Sequence, residues 1–147
     1  MTRTEQIPLN FLYEQDETAW LETMSALAAE GRLAEMDFAN LSEFLSSMAK
    51  RDRREVNSRL VVLLMHLLKW EFHPDRRSGS WKATIMEQRR EMGDMLDSMT
   101  LHNHAEATLA KAYERARAEA AAETELPLAT FPQSCPWDLE SLLADDE

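Results

Sequence analysis

The stretch Leu60-Val61-Val62-Leu63-Leu64-Met65-His66-Leu67-Leu68 carries one polar side chain in nine residues. A helix of this composition is apolar on nearly every face, and such a helix is normally surrounded by others. Nine residues rise only about 14 Å as a helix, far short of the roughly 30 Å of a bilayer core. The run therefore reads as the buried centre of a helical bundle rather than a membrane span. Helical sequence extends it back to about Arg51–Arg53 and on to Phe72, where Pro74 forbids continuation. Ser78-Gly79-Ser80 follows as a loop, with Ser80 the expected N-cap of the next helix.

The flanking segments repeat the helical pattern. Asp16 is placed to cap a helix ending near Glu30, with Trp20, Met24 and Leu27 on one stripe and Gly31 as a left-handed stop. Asp37 is the next expected cap, before Phe38, Leu41, Leu45 and Met48 at spacings of three, four and three. Beyond the central helix, a fourth over Trp81–Met99 aligns Ile85, Met92, Leu96 and Met99. A fifth over His104–Thr124 aligns Ala105, Leu109, Ala112, Ala116 and Ala120, an alanine seam that permits close helix approach. The two-residue alternation of strands is absent throughout. After Glu125, Pro127, Pro132 and Pro136 impose extended backbone, while Leu126, Leu128, Phe131 and Trp137 offer apolar anchors. The expectation is an all-α bundle of about five helices, closed by an extended strap and a short helix over Asp138–Leu143. A single domain would span residues 1–147, with a loosely held arm over 1–12, the bundle over 13–124 and the strap and acidic tail over 125–147.

Composition agrees with this picture and excludes several function classes. The 147 residues fit one domain, and 44% hydrophobic with 29% charged residues is ordinary for a globular chain. Three glycines and five prolines are too few for a turn-rich β-sandwich. The lone Cys135 cannot form an internal disulfide, which fits a reducing compartment. No apolar stretch behind a basic start marks Met1–Asn10 as a secretory signal, so a cytoplasmic location is expected. The net charge of −11 argues against non-specific attraction to nucleic acid or anionic membrane by the whole molecule.

The charge is unevenly distributed. Residues 1–49 hold 2 basic and 9 acidic side chains, residues 50–90 hold 11 and 5, and residues 91–147 hold 3 and 13. A basic centre thus lies between acidic flanks. In one reading the flanks neutralise it through surface pairs, each worth about 0–1 kcal/mol. In the other, Arg76, Arg77, Lys82, Arg89 and Arg90 leave an uncovered basic patch for an anionic partner, with Trp81 able to stack on a base.

Few constellations carry chemistry. His66, Lys69, Trp70 and His73 share a helix face by spacing, although His73 precedes Pro74 and is biased towards extended backbone. His66 reads as a core or half-buried histidine with one hydrogen bond. His102-Asn103-His104 falls between the fourth and fifth helices and reads as a loop. No HExxH, CxxC, GxSxG or Gly-rich phosphate loop occurs, and no Glu-x-x-His. Cys135 precedes Pro136 with no basic neighbour to activate it. No catalytic residue, metal ligand or cofactor is assigned.

The run Ser58–Arg90, SRLVVLLMHLLKWEFHPDRRSGSWKATIMEQRR, closely resembles the hallmark stretch of an uncharacterised bacterial family, domain of unknown function twenty-nine. YEQDETAWL (Tyr13–Leu21), GRLAEMDFANLSE (Gly31–Glu43) and LPLATFPQSCPWDLESLL (Leu126–Leu143) resemble its opening and closing segments. The resemblance implies a helical bundle in a cytoplasmic bacterial protein and no particular activity. It maps the family's motif onto Arg59, Leu63, His66, Leu67, Lys69, Trp70, Pro74, Arg77, Ser80, Trp81 and Arg89. The chain departs from the pattern over Ser42–Ala49, where Glu43 alone stands for several glutamates, and this weakens any carboxylate-rich metal site on that helix.

The leading expectation is a non-enzymatic protein-interaction or regulatory module with a protein partner. The alternative is a binding module for a phosphate-bearing ligand or nucleic acid through the basic turn at 76–90. The surface expected to serve either comprises His66, Lys69, Trp70, Arg76, Arg77, Ser80, Trp81 and Arg89.

Overall fold

The structure, a computed structural model, describes residues 7–145. It is all-α, with no strand among those residues. The helices are α1 (Leu9–Gln15), α2 (Glu17–Ala29), α3 (Phe38–Phe72), α4 (Gly79–Met95), α5 (Met99–Thr124) and α6 (Leu139–Leu143), with single 3-10 turns at Leu33–Glu35, Pro74–Arg76 and Leu128–Thr130. Contacts gather into two compact units, Met1–Lys50 and Arg51–Glu147.

In the first unit, Asp16 serves two helices at once. Its backbone N–H closes α1 on Leu12, and its side chain caps α2 by accepting from the Ala19 N–H at 3.1 Å. Of the expected arm over 1–12, residues from Leu9 onward lie in α1; the part before Ile7 lies outside the described residues. The stripe Trp20, Met24 and Leu27 is buried as expected, with the Tyr13 and Phe44 rings 4.7 and 5.7 Å from the Trp20 ring. Gly31 ends α2 with φ at +70°, a conformation that costs glycine nothing. Asp37 caps α3 through the Asn40 N–H and also accepts from the Trp20 indole N–H at 3.2 Å.

The second and third helices expected from the sequence are one continuous element. Ala49-Lys50-Arg51-Asp52-Arg53-Arg54-Glu55 contains no glycine or proline and is dominated by strong helix formers, so nothing interrupts α3 along its 35 residues, roughly 50 Å.

In the second unit, the Leu60–Leu68 run is central to the core, with Leu60, Leu63, Leu64 and Leu68 wholly buried. It packs with Ile85 and Met92 of α4, with Ala105, Ala112, Tyr113, Ala116 and Ala120 of α5, and with Phe131, Leu139 and Leu142. The alanine seam is therefore interior, and Leu109 packs against its edge.

Three boundaries differ from expectation. Ser78, rather than Ser80, caps α4, accepting from the Trp81 N–H at 3.3 Å. Helix α4 ends at Met95, and Ser98 caps α5 through the Leu101 N–H, so Met99 starts a new helix and is exposed. His102 and His104 consequently lie inside α5 rather than in a loop.

Side chains reaching main-chain carbonyls hold the strap. The Tyr113 hydroxyl donates to the Pro132 carbonyl at 2.5 Å, and Arg117 donates to the Phe131 and Leu128 carbonyls, each at 3.2 Å. Asp138 caps α6 by accepting from the Ser141 N–H at 2.7 Å. Of the acidic tail, Asp146 and Glu147 lie outside the described residues.

Candidate functional site

The end of α3, the Pro74–Arg76 turn, the start of α4 and the end of α5 enclose a cleft of about 450 Å³. Lys69, His73, Arg76, Trp81, Glu123 and Glu125 line it. The chain reaches this arrangement because Pro74 stops α3 and leaves His73 with φ at −135°, away from helical geometry. The turn then delivers Arg76 and, through the Ser78 cap, Trp81 to the same end of the bundle.

Lys69 is only 2% exposed, and its ammonium donates to Glu123 Oε1 at 2.8 Å. The same ammonium stands 4.8 Å from the centroid of the Trp81 ring, a cation–π contact. The two interactions satisfy a charge that burial alone would make costly. Glu123 itself is 55% exposed in its side chain, so the pair is buried on its cationic side and wetted on its anionic side. The His73 ring lies 6.3 Å from Trp81, and its Nδ1 is buried without a hydrogen-bond partner. Arg76 is exposed, and its guanidinium has no partner among the described residues. Glu125, the last lining residue, holds φ at +60°. Residues other than glycine, asparagine and aspartate seldom occupy that left-handed region, and here Glu125 ends α5 as its C-cap.

The residues singled out in the sequence are thus divided. Lys69, Arg76 and Trp81 come together in the cleft. Trp70 and Arg77 pair with each other instead: Arg77 Nε donates to the Trp70 carbonyl at 2.6 Å, and its guanidinium carbon lies 4.8 Å from the Trp70 ring centroid. Arg89, expected on a binding surface, is an interior side chain; its Nε donates to the Leu142 carbonyl at 2.9 Å and ties α6 to α4. Lys69 is likewise interior. Ser80 is exposed, with its hydroxyl 3.2 Å from that of Ser78. His66 is half-buried, as read from the sequence, with Nδ1 2.8 Å from the Val62 carbonyl. Burial holds its imidazole below the ordinary range, aided by Lys69 and opposed by the Val62 bond and Glu123.

Several participants left no mark in the sequence. Glu123 lies 54 positions from Lys69 and sits among many glutamates, so only the tertiary fold identifies it. Asn57 accepts from Thr108 at 3.0 Å and lies 3.1 Å from His104 Nε2, giving that histidine a structural partner on α3. Cys135 is half-buried, its thiol donates to the Trp137 carbonyl, and burial pushes its pKa up, away from thiolate character. Among the described residues, no three His, Cys, Asp or Glu side chains converge as metal ligands, and no helix is long and apolar enough to cross a membrane.

The first unit presents a different surface. A groove of about 580 Å³ runs along α1 and α2, lined by Ile7, Pro8, Leu9, Leu12, Thr23, Leu27 and Glu35. Phe11, Leu33, Phe38 and Leu45 of the same unit are each more than half exposed. Residues 7–50 hold eight carboxylates and two cations, and one of those cations, Arg32, is already paired with Glu30 and Glu35.

No curated protein and no solved structure matches the chain. A family model described as "Domain of unknown function DUF29" matches residues 12–146, nearly the whole chain, and the protein belongs to that family.

Proposed function

We infer that the protein is a non-enzymatic interaction module of the cytoplasm, and that its first unit receives the partner. The observation that carries this reading is the largely apolar groove of α1 and α2, in a unit that also exposes Phe11, Leu33, Phe38 and Leu45 and is rich in carboxylates. Isolated exposed apolar residues are ordinary, but an apolar groove on an acidic unit is the form of a recognition surface. The complementary partner presents apolar anchors with basic residues at their rim. Opposite charge raises the encounter rate, and apolar burial sets the lifetime of the complex.

Residues of the basic centre contribute less to such a surface than their number implies. Arg77 and Arg89 are turned onto carbonyls, Arg59 bonds Glu55 and Gln88, and Lys69 is paired inside the bundle.

The test compares the full-length chain with Ile7→Ser/Phe11→Ser, both exposed positions outside the core. Burying each side chain in a complex contributes about 1.5–3 kcal/mol. The double variant therefore loses on the order of a hundredfold or more in affinity. From the native host, the wild-type chain retains a basic protein in fixed stoichiometry and the variant does not. Equal retention by both, or no stoichiometric protein with either at any salt, refutes the reading.

A further inference from the structure

The geometry points to the cleft at the end of α3 as a binding site for a small zwitterion, a molecule carrying one carboxylate and one ammonium group. Its charges decide the ligand class. Two cations and two carboxylates line the cleft, but Lys69 and Glu123 neutralise one another at 2.8 Å. What remains without a partner among the described residues is one guanidinium, Arg76, and one carboxylate, Glu125. A phosphate or a polyanion would find a single available cation opposed by the Glu125 carboxylate. A simple cation would meet Arg76. Only a ligand with both signs matches the set.

The individual groups suit that role. The planar guanidinium of Arg76 can take a ligand carboxylate through two parallel hydrogen bonds. Glu125, together with the oxygen of Glu123 that Lys69 leaves open, can accept from a ligand ammonium. The His73 ring contributes to the lining between the end of α3 and the turn, while its Nδ1 is turned into the protein, buried without a hydrogen bond. The Trp81 indole forms an apolar wall whose orientation the Lys69 ammonium fixes. The volume, about 450 Å³, is in the range of small-molecule sites.

The experiment titrates the full-length protein with glycine, 4-aminobutyrate, 6-aminohexanoate and L-phenylalanine, and with acetate, methylammonium and inorganic phosphate as single-sign controls. The readout is the NMR shift of the His73 and Trp81 ring resonances. At least one zwitterion gives a saturable shift with affinity about tenfold or more above acetate and methylammonium. Its chain length reports the distance between the two charged anchors. Arg76→Gln and the isosteric Glu125→Gln each weaken it about tenfold while leaving the melting temperature in place. Phosphate binding as tightly as the best zwitterion, single-sign probes binding equally well, or no saturable shift from any probe each overturns the proposal.

Discussion

Replacing Glu123 by Gln isolates the physics of the buried lysine. The Lys69 ammonium is 2% exposed, 2.8 Å from its carboxylate and 4.8 Å from an indole face. At an effective dielectric near 20, two charges about 3 Å apart attract by roughly 5–6 kcal/mol before any desolvation cost. Because Glu123 is 55% exposed, solvent already screens much of that attraction. Glutamine keeps an oxygen acceptor at the same position. The net cost of Glu123→Gln is accordingly about 2 kcal/mol, below the roughly 3–5 kcal/mol of breaking a fully buried pair. In a chain of this size that lowers the melting temperature by about 4–8 °C. Lys69→Met behaves differently. It keeps the apolar stem, removes the charge that burial disfavours and leaves Glu123 to be solvated, so it stays within about 1 kcal/mol of wild type. Urea unfolding of both single variants and the double variant reads these values, with a coupling of about 2 kcal/mol. If Lys69→Met costs more than Glu123→Gln, the assignment of the cost to an orphaned ammonium is wrong.

Other consequences are as direct. Burial lowers the His66 pKa in the folded chain, so below about pH 6.5 the unfolded chain takes up this proton first. Stability is independent of this group above that pH and declines as the pH falls towards the folded-state value; His66→Gln removes that part of the decline, and parallel profiles for the two proteins would contradict it. Asp37→Ala removes the cap of α3 and leaves the Trp20 indole N–H without its acceptor, costing about 2 kcal/mol in the first unit. Hydrogen exchange over residues 9–50 measures it, and a loss under about 0.5 kcal/mol denies Asp37 that double role. Tyr113→Phe leaves the Pro132 carbonyl without its donor, costs about 1 kcal/mol and speeds proteolysis within 126–137. Unchanged cleavage there means the strap is held by its apolar anchors alone.

What the sequence revealed, and what it hid, follows from the range of the forces involved. Periodicity and caps are local, so the buried Leu60–Leu68 run, the Asp16 and Asp37 caps, the Gly31 stop and the alanine seam could be read directly. Helix α1 escaped because seven residues between Pro8 and Asp16 hold too few turns to display a period. The join across Ala49–Glu55 escaped because a charged run resembles a connector, although its residues are strong helix formers. The fates of the basic side chains were beyond local reading altogether. Lys69 is buried by Glu123, 54 positions away, and Arg89 is turned onto Leu142, 53 positions away. A candidate surface listing Lys69, Arg77 and Arg89 side by side could not anticipate that each meets a different partner. The groove of the first unit is assembled by α1, the one helix that the pattern did not disclose.

Tyr113, Arg117 and Arg89 fasten the C-terminal region by reaching main-chain oxygens of Pro132, Phe131, Leu128 and Leu142. A carbonyl is the same chemical group whichever residue carries it. The attachment is therefore indifferent to substitutions at exposed strap positions, provided that Leu126, Phe131, Cys135, Trp137 and the α6 leucines keep their apolar seats. It is intolerant of a change in length. Deleting one residue between Pro132 and Leu139 sets the Tyr113 and Arg89 anchors one position out of step, whereas replacing Gln133 or Ser134, both exposed, leaves every anchor where it was. Across related chains, the exposed positions such as Gln133 and Ser134 should vary in composition while the residue count of the segment stays fixed.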